Sequence, residues 1–208
     1  MQPNVEIIDL PTGVSLEALL LKPSASTHSE GTKLAVCFHP WSWLSGRMED
    51  PVLDSLVDPL LSKNYHVLQY NSRGVGKSTG RASFTGFEEV KDLQSIIHWT
   101  LDHLPNVSSV VIIGYFYRSL IASLQPPLPS PVQTSHVLLP YPLGMAHLVP
   151  IFNDEFTSIS SYRTWAAELE THFGTSDRLK IVEVENATHF WRGRANERLE
   201  HVLLEWLQ

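Results

Sequence analysis

The chain has 208 residues, a length that suits one domain spanning 1–208 with a sizeable core. Hydrophobic residues make up 43% and charged residues 18%, which excludes wholesale disorder. A net charge of −7 without a basic block argues against nucleic acid, and no apolar run approaches the roughly 18 residues of a membrane span.

The single Cys37 excludes an internal disulfide and suits a reducing, cytoplasmic setting. The opening MQPNVEIIDL lacks the basic and apolar regions of a signal peptide, so none is expected.

In chain order, residues 5–10 and 14–22 flank Pro11-Thr12-Gly13 and predict a β-hairpin. LAVCFHP (34–40) reads as a buried strand, 50–63 as a helix and HVLQYNSR (66–73) as a strand. Val90, Leu93, Ile96, Ile97 and Leu101 recur at helical spacing and predict a helix over 87–104. SVVIIGY (109–115) is a β-branched strand, followed by a short helix at 118–125 and a strand at 136–141. HLVPIF (147–152) is a further candidate strand, weakened by Pro150. A helix at 160–173, a strand at 179–185 and a helix at 196–208 close the chain. Strands alternating with helices predict a three-layer α/β sandwich around a mostly parallel sheet, with an antiparallel N-terminal hairpin.

Two chemistries are set aside. GVGKST (74–79) resembles the end of a phosphate loop, but the required first glycine would fall at 71, where the chain has Asn71. No helix pattern follows it either, so a glycine-rich turn after a strand is the reading. His98 and His103 are five apart, the wrong spacing for a helical metal pair, and no metal or other cofactor is expected.

A third chemistry draws on several segments. The strand 109–115 runs into Gly114-Tyr115-Phe116-Tyr117-Arg118 and then a small-residue helix. That is the context of a nucleophile elbow, G-x-S-x-G. Asp154 and His189 follow downstream, in the order nucleophile, acid, histidine. Upstream, His39-Pro40-Trp41 ends a strand where such a fold places one oxyanion N–H.

Taken together, HPWSWLSGRMED (39–50), YNSRGVGKSTGRASFTGFEEVKDL (70–93), GYFYRSLIAS (114–123), TSHVLLPYPLG (134–144), NDEFTSISSYRTWAAEL (153–169) and ATHFWR (187–192) resemble the α/β-hydrolase superfamily. The resemblance is to small bacterial and fungal members and covers nearly the whole chain. It implies serine-hydrolase ancestry of esterase, lipase or peptidase type. It also implies Asp154 and His189 as acid and base, with the N–H groups of Trp41 and Tyr117 as the oxyanion hole.

The chain departs from that pattern where chemistry happens. The relatives' elbow reads G-Y-S-Y-G-S-L; here Phe116 takes the serine position and Arg118 the second glycine. Phenylalanine has no atom that a histidine could deprotonate. A bulky residue at the apex must either carry positive-φ strain or let the turn relax. Ser119, in the first helical turn, is read as a capping group for N–H donors there.

Only four residues, 143–146, separate the strand at 136–141 and its flanking Pro142 from the candidate strand at 147–152. A parallel crossover needs about a dozen, so 147–152 is antiparallel or outside the sheet, and the fold is truncated between the elbow helix and the acid-bearing segment.

The leading expectation is therefore a degenerate hydrolase. Its aromatics Trp41, Trp43, Tyr115, Phe116 and Tyr117 are candidates to bind a small apolar or ester-like ligand. The alternatives are a lyase, isomerase or cyclase using His189 as base, and a non-catalytic interaction module with no protein partner identified.

Overall fold

The computed structural model describes residues 5–24, 31–40, 46–139, 159–173, 179–184, 187 and 191–207. Backbone contacts divide the chain into two compact units, Met1–Tyr141 with Leu207–Gln208, and Pro142–Trp206.

The first unit holds a six-stranded sheet of β1 (Val5–Asp9), β2 (Ser15–Leu21), β3 (Thr32–Phe38), β4 (Tyr65–Tyr70), β5 (Val107–Tyr115) and β6 (Gln133–Leu139), in the order β1-β2-β4-β3-β5-β6. The β1–β2 and β2–β4 pairings are antiparallel; β4–β3, β3–β5 and β5–β6 are parallel. The expected hairpin and mostly parallel sheet are both present.

Central β3 is flanked on each side and buries Leu34 to Phe38 completely, which is why it reads as a continuous apolar run. Leu34, Val36, Phe38, Leu68, Val110 and Ile112 form one face. Against it pack Leu93, Ile96 and Ile97 of α3 (Phe87–His103), with Ile121 and Ala122 of α4 (Tyr117–Ser123). The intervening Ala35, Cys37, Val67 and Val111 point to the opposite face, as alternation requires, and are buried too. The helix expected over 50–63 is two, α1 (Pro51–Ser55) and α2 (Val57–Ser62). Pro59 has no N–H to give Ser55, so the ladder breaks and restarts at Leu56, whose carbonyl accepts from Leu60.

In the second unit, α5 (Ile159–Phe173) and α6 (Arg194–Trp206) form as the periodicity predicts. The strand expected at 179–185 does not: residues 179–184 carry no strand pairing. Ile181 and Val182 stand 39% and 37% exposed, and Glu183 turns instead to Arg163 of α5, 2.7 Å away. An apolar, β-branched pattern marks a segment able to pair, but a strand exists only where a ladder partner supplies its hydrogen bonds. The candidate strand 147–152 and the short connection before it lie outside the described residues.

Candidate active site

The parallel register brings the carboxyl ends of β3, β4, β5 and β6 to one edge of the sheet, where ligands bind in open α/β folds. At the end of β5 the chain turns through one residue, Phe116, straight into α4. Phe116 has φ 56° and ψ −126°, and its side chain is only 2% exposed. Of the two possibilities open from sequence, the chain keeps the strain, which costs on the order of 1–3 kcal/mol for a residue with a Cβ.

Packing and hydrogen bonds hold that turn in place. A Cβ on Gly114 would stand 2.7 Å from both Ala122 Cβ and the Arg118 carbonyl, so only glycine lets α4 lie this close to β5. The Phe116 N–H donates to the Leu139 carbonyl, and the Ser119 N–H donates to the Phe116 carbonyl at 2.8 Å. Ser119 does not cap N–H groups, as its position suggested. Its hydroxyl faces the carbonyls of Leu139 (2.7 Å) and Gly114 (3.0 Å), tying the helix to both strand ends. Those two acceptors belong to strands whose meeting point the local sequence does not specify.

Arg118, in place of the second glycine, is 1% exposed. Its guanidinium carbon lies 4.8 Å from the centroid of the Phe38 ring and 5.9 Å from that of Tyr117. Burial lowers its pKa, while Glu89, Tyr70, Tyr117 and Asp92 favour the charged form. Its Nε has no hydrogen-bond partner among the described residues, and neither does the buried Tyr70 hydroxyl. The nearby acids are already engaged. Asp92 accepts from Arg73 at 2.6 and 2.8 Å and from Thr12 at 2.6 Å, and Glu89 accepts from the Ser83 N–H at 2.7 Å.

The turn after β3 is built differently. The Ser72 N–H donates to His39 Nε2 at 2.9 Å, so that nitrogen is unprotonated and Nδ1 donates to the Pro40 carbonyl at 2.6 Å. Complete burial, reinforced by Arg118, lowers the His39 pKa to about 3 and keeps the ring neutral. Sequence reading marked this histidine only as part of a motif; its structural partner, Ser72, lies 33 residues away.

The GVGKST segment is a tight turn, as expected, and it encloses an anion belonging to the chain. Glu17 Oε2 accepts from the Lys77 N–H at 2.8 Å and from Asn71 Nδ2 at 2.9 Å, with Lys77 Nζ 3.6 Å from Oε1. A Cβ on Gly76 would fall 2.3 Å from that carboxylate oxygen. Burial opposes ionisation of Glu17, but the hydrogen bonds from Lys77 and Asn71, with the Lys77 charge, outweigh it and lower its pKa.

Of the residues singled out from sequence, the described structure contains Tyr115, Phe116, Tyr117 and Ser119. Trp41, Trp43, Asp154 and His189 lie outside it. No group of three metal-ligating side chains occurs among the described residues. An open groove is lined by Arg163, Thr164, Ala167, Glu168 and Thr171, all on α5. No helix among the described residues is long and apolar enough to cross a membrane.

This architecture is that of the α/β-hydrolase superfamily. An α/β serine hydrolase without a lid from Xanthomonas campestris superposes with a TM-score of 0.75 at 19% identity, covering 99% of this chain and 94% of that one. A serine hydrolase homologue from Coxiella burnetii gives 0.72 at 22% identity over 99% and 97%. An esterase from Pyrococcus furiosus gives 0.72 at 15% identity over 99% and 90%. At these identities the likeness shows the fold alone.

Residues 12–130 match the model of the X-Pro dipeptidyl-peptidase (S15) family, and the chain belongs to that family. It is also 32% identical over 98 residues to an uncharacterized protein of Rickettsia prowazekii (strain Madrid E). That match takes in 47% of this chain and 41% of the other, so it spans less than half the length of the curated relative.

Proposed function

We propose that this chain is a single-domain α/β-hydrolase-type protein of serine esterase, lipase or peptidase ancestry in which hydrolysis has been lost at position 116. The observation that carries the reading is Phe116. It stands at the strained turn between β5 and α4, where a hydrolase of this fold presents its nucleophile, and it has no oxygen to present. In this reading Asp154 and His189 are the remaining acid and base, and the N–H groups of Trp41 and Tyr117 are the oxyanion donors. The ligand class is a small apolar or ester-like molecule. Without a nucleophile no acyl intermediate forms, and the donors have no developing charge to stabilise.

The experiment compares short p-nitrophenyl esters and a chromogenic X-Pro peptide on the native chain and on Phe116→Ser/Arg118→Gly. The native chain is expected to show no turnover above buffer, and the restored variant measurable turnover that His189→Ala removes. Turnover by the native chain, abolished by His189→Ala, would overturn the reading.

A further inference from the structure

The glycine-rich turn after β4 is seated on β2 by bonds that do not involve the Glu17 carboxylate. The Glu17 N–H donates to Ser78 Oγ at 2.9 Å, and the Glu17 carbonyl accepts from the Asn71 N–H at 2.8 Å. The Thr79 N–H donates to the Ser15 carbonyl and the Ser15 N–H to Thr79 Oγ1, both at 2.8 Å. Inside the turn, the Val75 N–H donates to the Ser72 carbonyl at 3.0 Å and the Ser78 N–H to the Val75 carbonyl at 2.9 Å.

The carboxylate has partners of its own. Its Oε2 accepts from the Lys77 N–H at 2.8 Å and from Asn71 Nδ2 at 2.9 Å, and Lys77 Nζ lies 3.6 Å from Oε1. Asn71 cannot turn its amide nitrogen away without loss, because its Oδ1 accepts from the Met48 N–H at 2.9 Å. Gly76, at φ 57°, admits the anion: a Cβ there would stand 2.3 Å from Oε2.

We propose that the turn over residues 74–79, with Asn71, forms a receptor for a small aliphatic carboxylate, which Glu17 fills from within the chain. The receptor keeps its shape without that side chain, since the bonds that seat the turn run through the backbone of β2. Two N–H donors meet at one oxygen and one cation faces the other, which suits a planar monoanion. A phosphate would bring a second charge and more oxygens than the site has donors. The resemblance of GVGKST to a phosphate loop therefore has a physical basis in anion binding. Size narrows the ligand further. Glu17→Ala keeps Cβ and removes Cγ and the carboxylate, the heavy atoms of acetate. Removing them leaves the Lys77 N–H and Asn71 Nδ2 without their acceptor, a cost that bound acetate relieves.

Acetate titrated into the full-length Glu17→Ala chain at neutral pH tests the receptor, with chloride at matched ionic strength as control. The Lys77 amide resonance is expected to shift saturably, half-complete on the order of 10 mM acetate, and the thermal midpoint to rise with it. The native chain, already filled, should show no saturable shift, and chloride should produce none in the variant. Propionate, one carbon too long for the space beside Cβ, is expected to bind at least about tenfold more weakly than acetate. Glu17→Ala/Asn71→Asp keeps the Met48 acceptor but turns a donor into a carboxylate, and should abolish the acetate shift.

A folded Glu17→Ala chain with no saturable acetate shift overturns the proposal. So does an equal response to chloride, an equal response by the native chain, or an acetate shift that survives Asn71→Asp. Propionate binding as tightly as acetate would mean that the space left by Glu17 is not the one filled. If Glu17→Ala does not fold in chloride, refolding decides: recovery of the native circular dichroism spectrum in acetate supports the receptor, and failure in both salts sinks it.

Discussion

The turns that leave the sheet after β3 and after β5 sit at the same edge and are built on opposite terms. After β3, His39 is neutral, both of its ring nitrogens are hydrogen-bonded, and further on the Met48 N–H donates to Asn71. After β5, Phe116 holds a backbone conformation that suits glycine, and Arg118 buries a charge whose Nε has no partner among the described residues. At the first turn the His39 ring is fully hydrogen-bonded, and the second carries strain and a desolvated cation. In the functional reading proposed above, the contrast separates two demands that coincide in an active hydrolase. Folding still requires the β3 turn and the close approach at Gly114, so those remain consistent. Phe116 and Arg118 contribute nothing a nucleophile would, and they are tolerated because Gly114, Ser119 and Leu139 over-determine the turn.

The largest expected effect tests the satisfied side. His39 has a folded-state pKa of about 3 against 6.5 unfolded, so the unfolded state binds the proton first as pH falls. Its contribution is therefore complete above pH 6.5 and is lost as pH drops from there toward 3. The slope approaches about 1.4 kcal/mol per pH unit, or roughly 2–3 kcal/mol between pH 6 and pH 4. Urea titrations of the native chain and His39→Gln should differ by that slope. Parallel pH curves would show that the β3 turn is not the satisfied one.

A smaller change, of opposite sign, is expected on the other side. Arg118→Met keeps the volume against Phe38 and removes the buried charge, which should stabilise the chain by about 2 kcal/mol. A loss of stability would mean that the guanidinium is well paired and the contrast is false. The smallest effect concerns Phe116. Both truncations lose the buried ring, but Phe116→Gly should be about 1 kcal/mol more stable than Phe116→Ala, the reverse of the usual order, because φ is positive. Equal stabilities would place the strain elsewhere.

Much of the fold was legible. Helical spacing located α3, an apolar run located β3, a β-branched run located β5, and Pro11-Thr12-Gly13 located the first hairpin. The helix expected over 50–63 as one element is two, and Pro59 is the residue that marks the break. The missing strand at 179–184 was not, since Ile181 and Val182 have the pattern of a strand and pairing depends on a remote neighbour. The brevity of the chain, read as truncation at the elbow's far side, is shared in large part by the lidless Xanthomonas hydrolase, of which the superposition covers 94%. Shortness alone is thus a poorer argument for the proposed loss of hydrolysis than the residue at 116.

By itself, the sequence determined what position 116 can and cannot do, because the absence of an oxygen on phenylalanine is independent of any fold. It also located most of the elements, the strand expected at 179–185 and the single helix at 50–63 excepted, since helix and strand periods are local properties of the backbone. The tertiary structure alone decided that the turn would keep its strain rather than relax, that Arg118 would face Phe38, and that the glycine-rich turn would enclose Glu17 from 60 residues upstream. Each of those outcomes depends on groups far apart in the chain meeting in a buried, water-poor place, where contacts between remote segments decide which polar groups are satisfied.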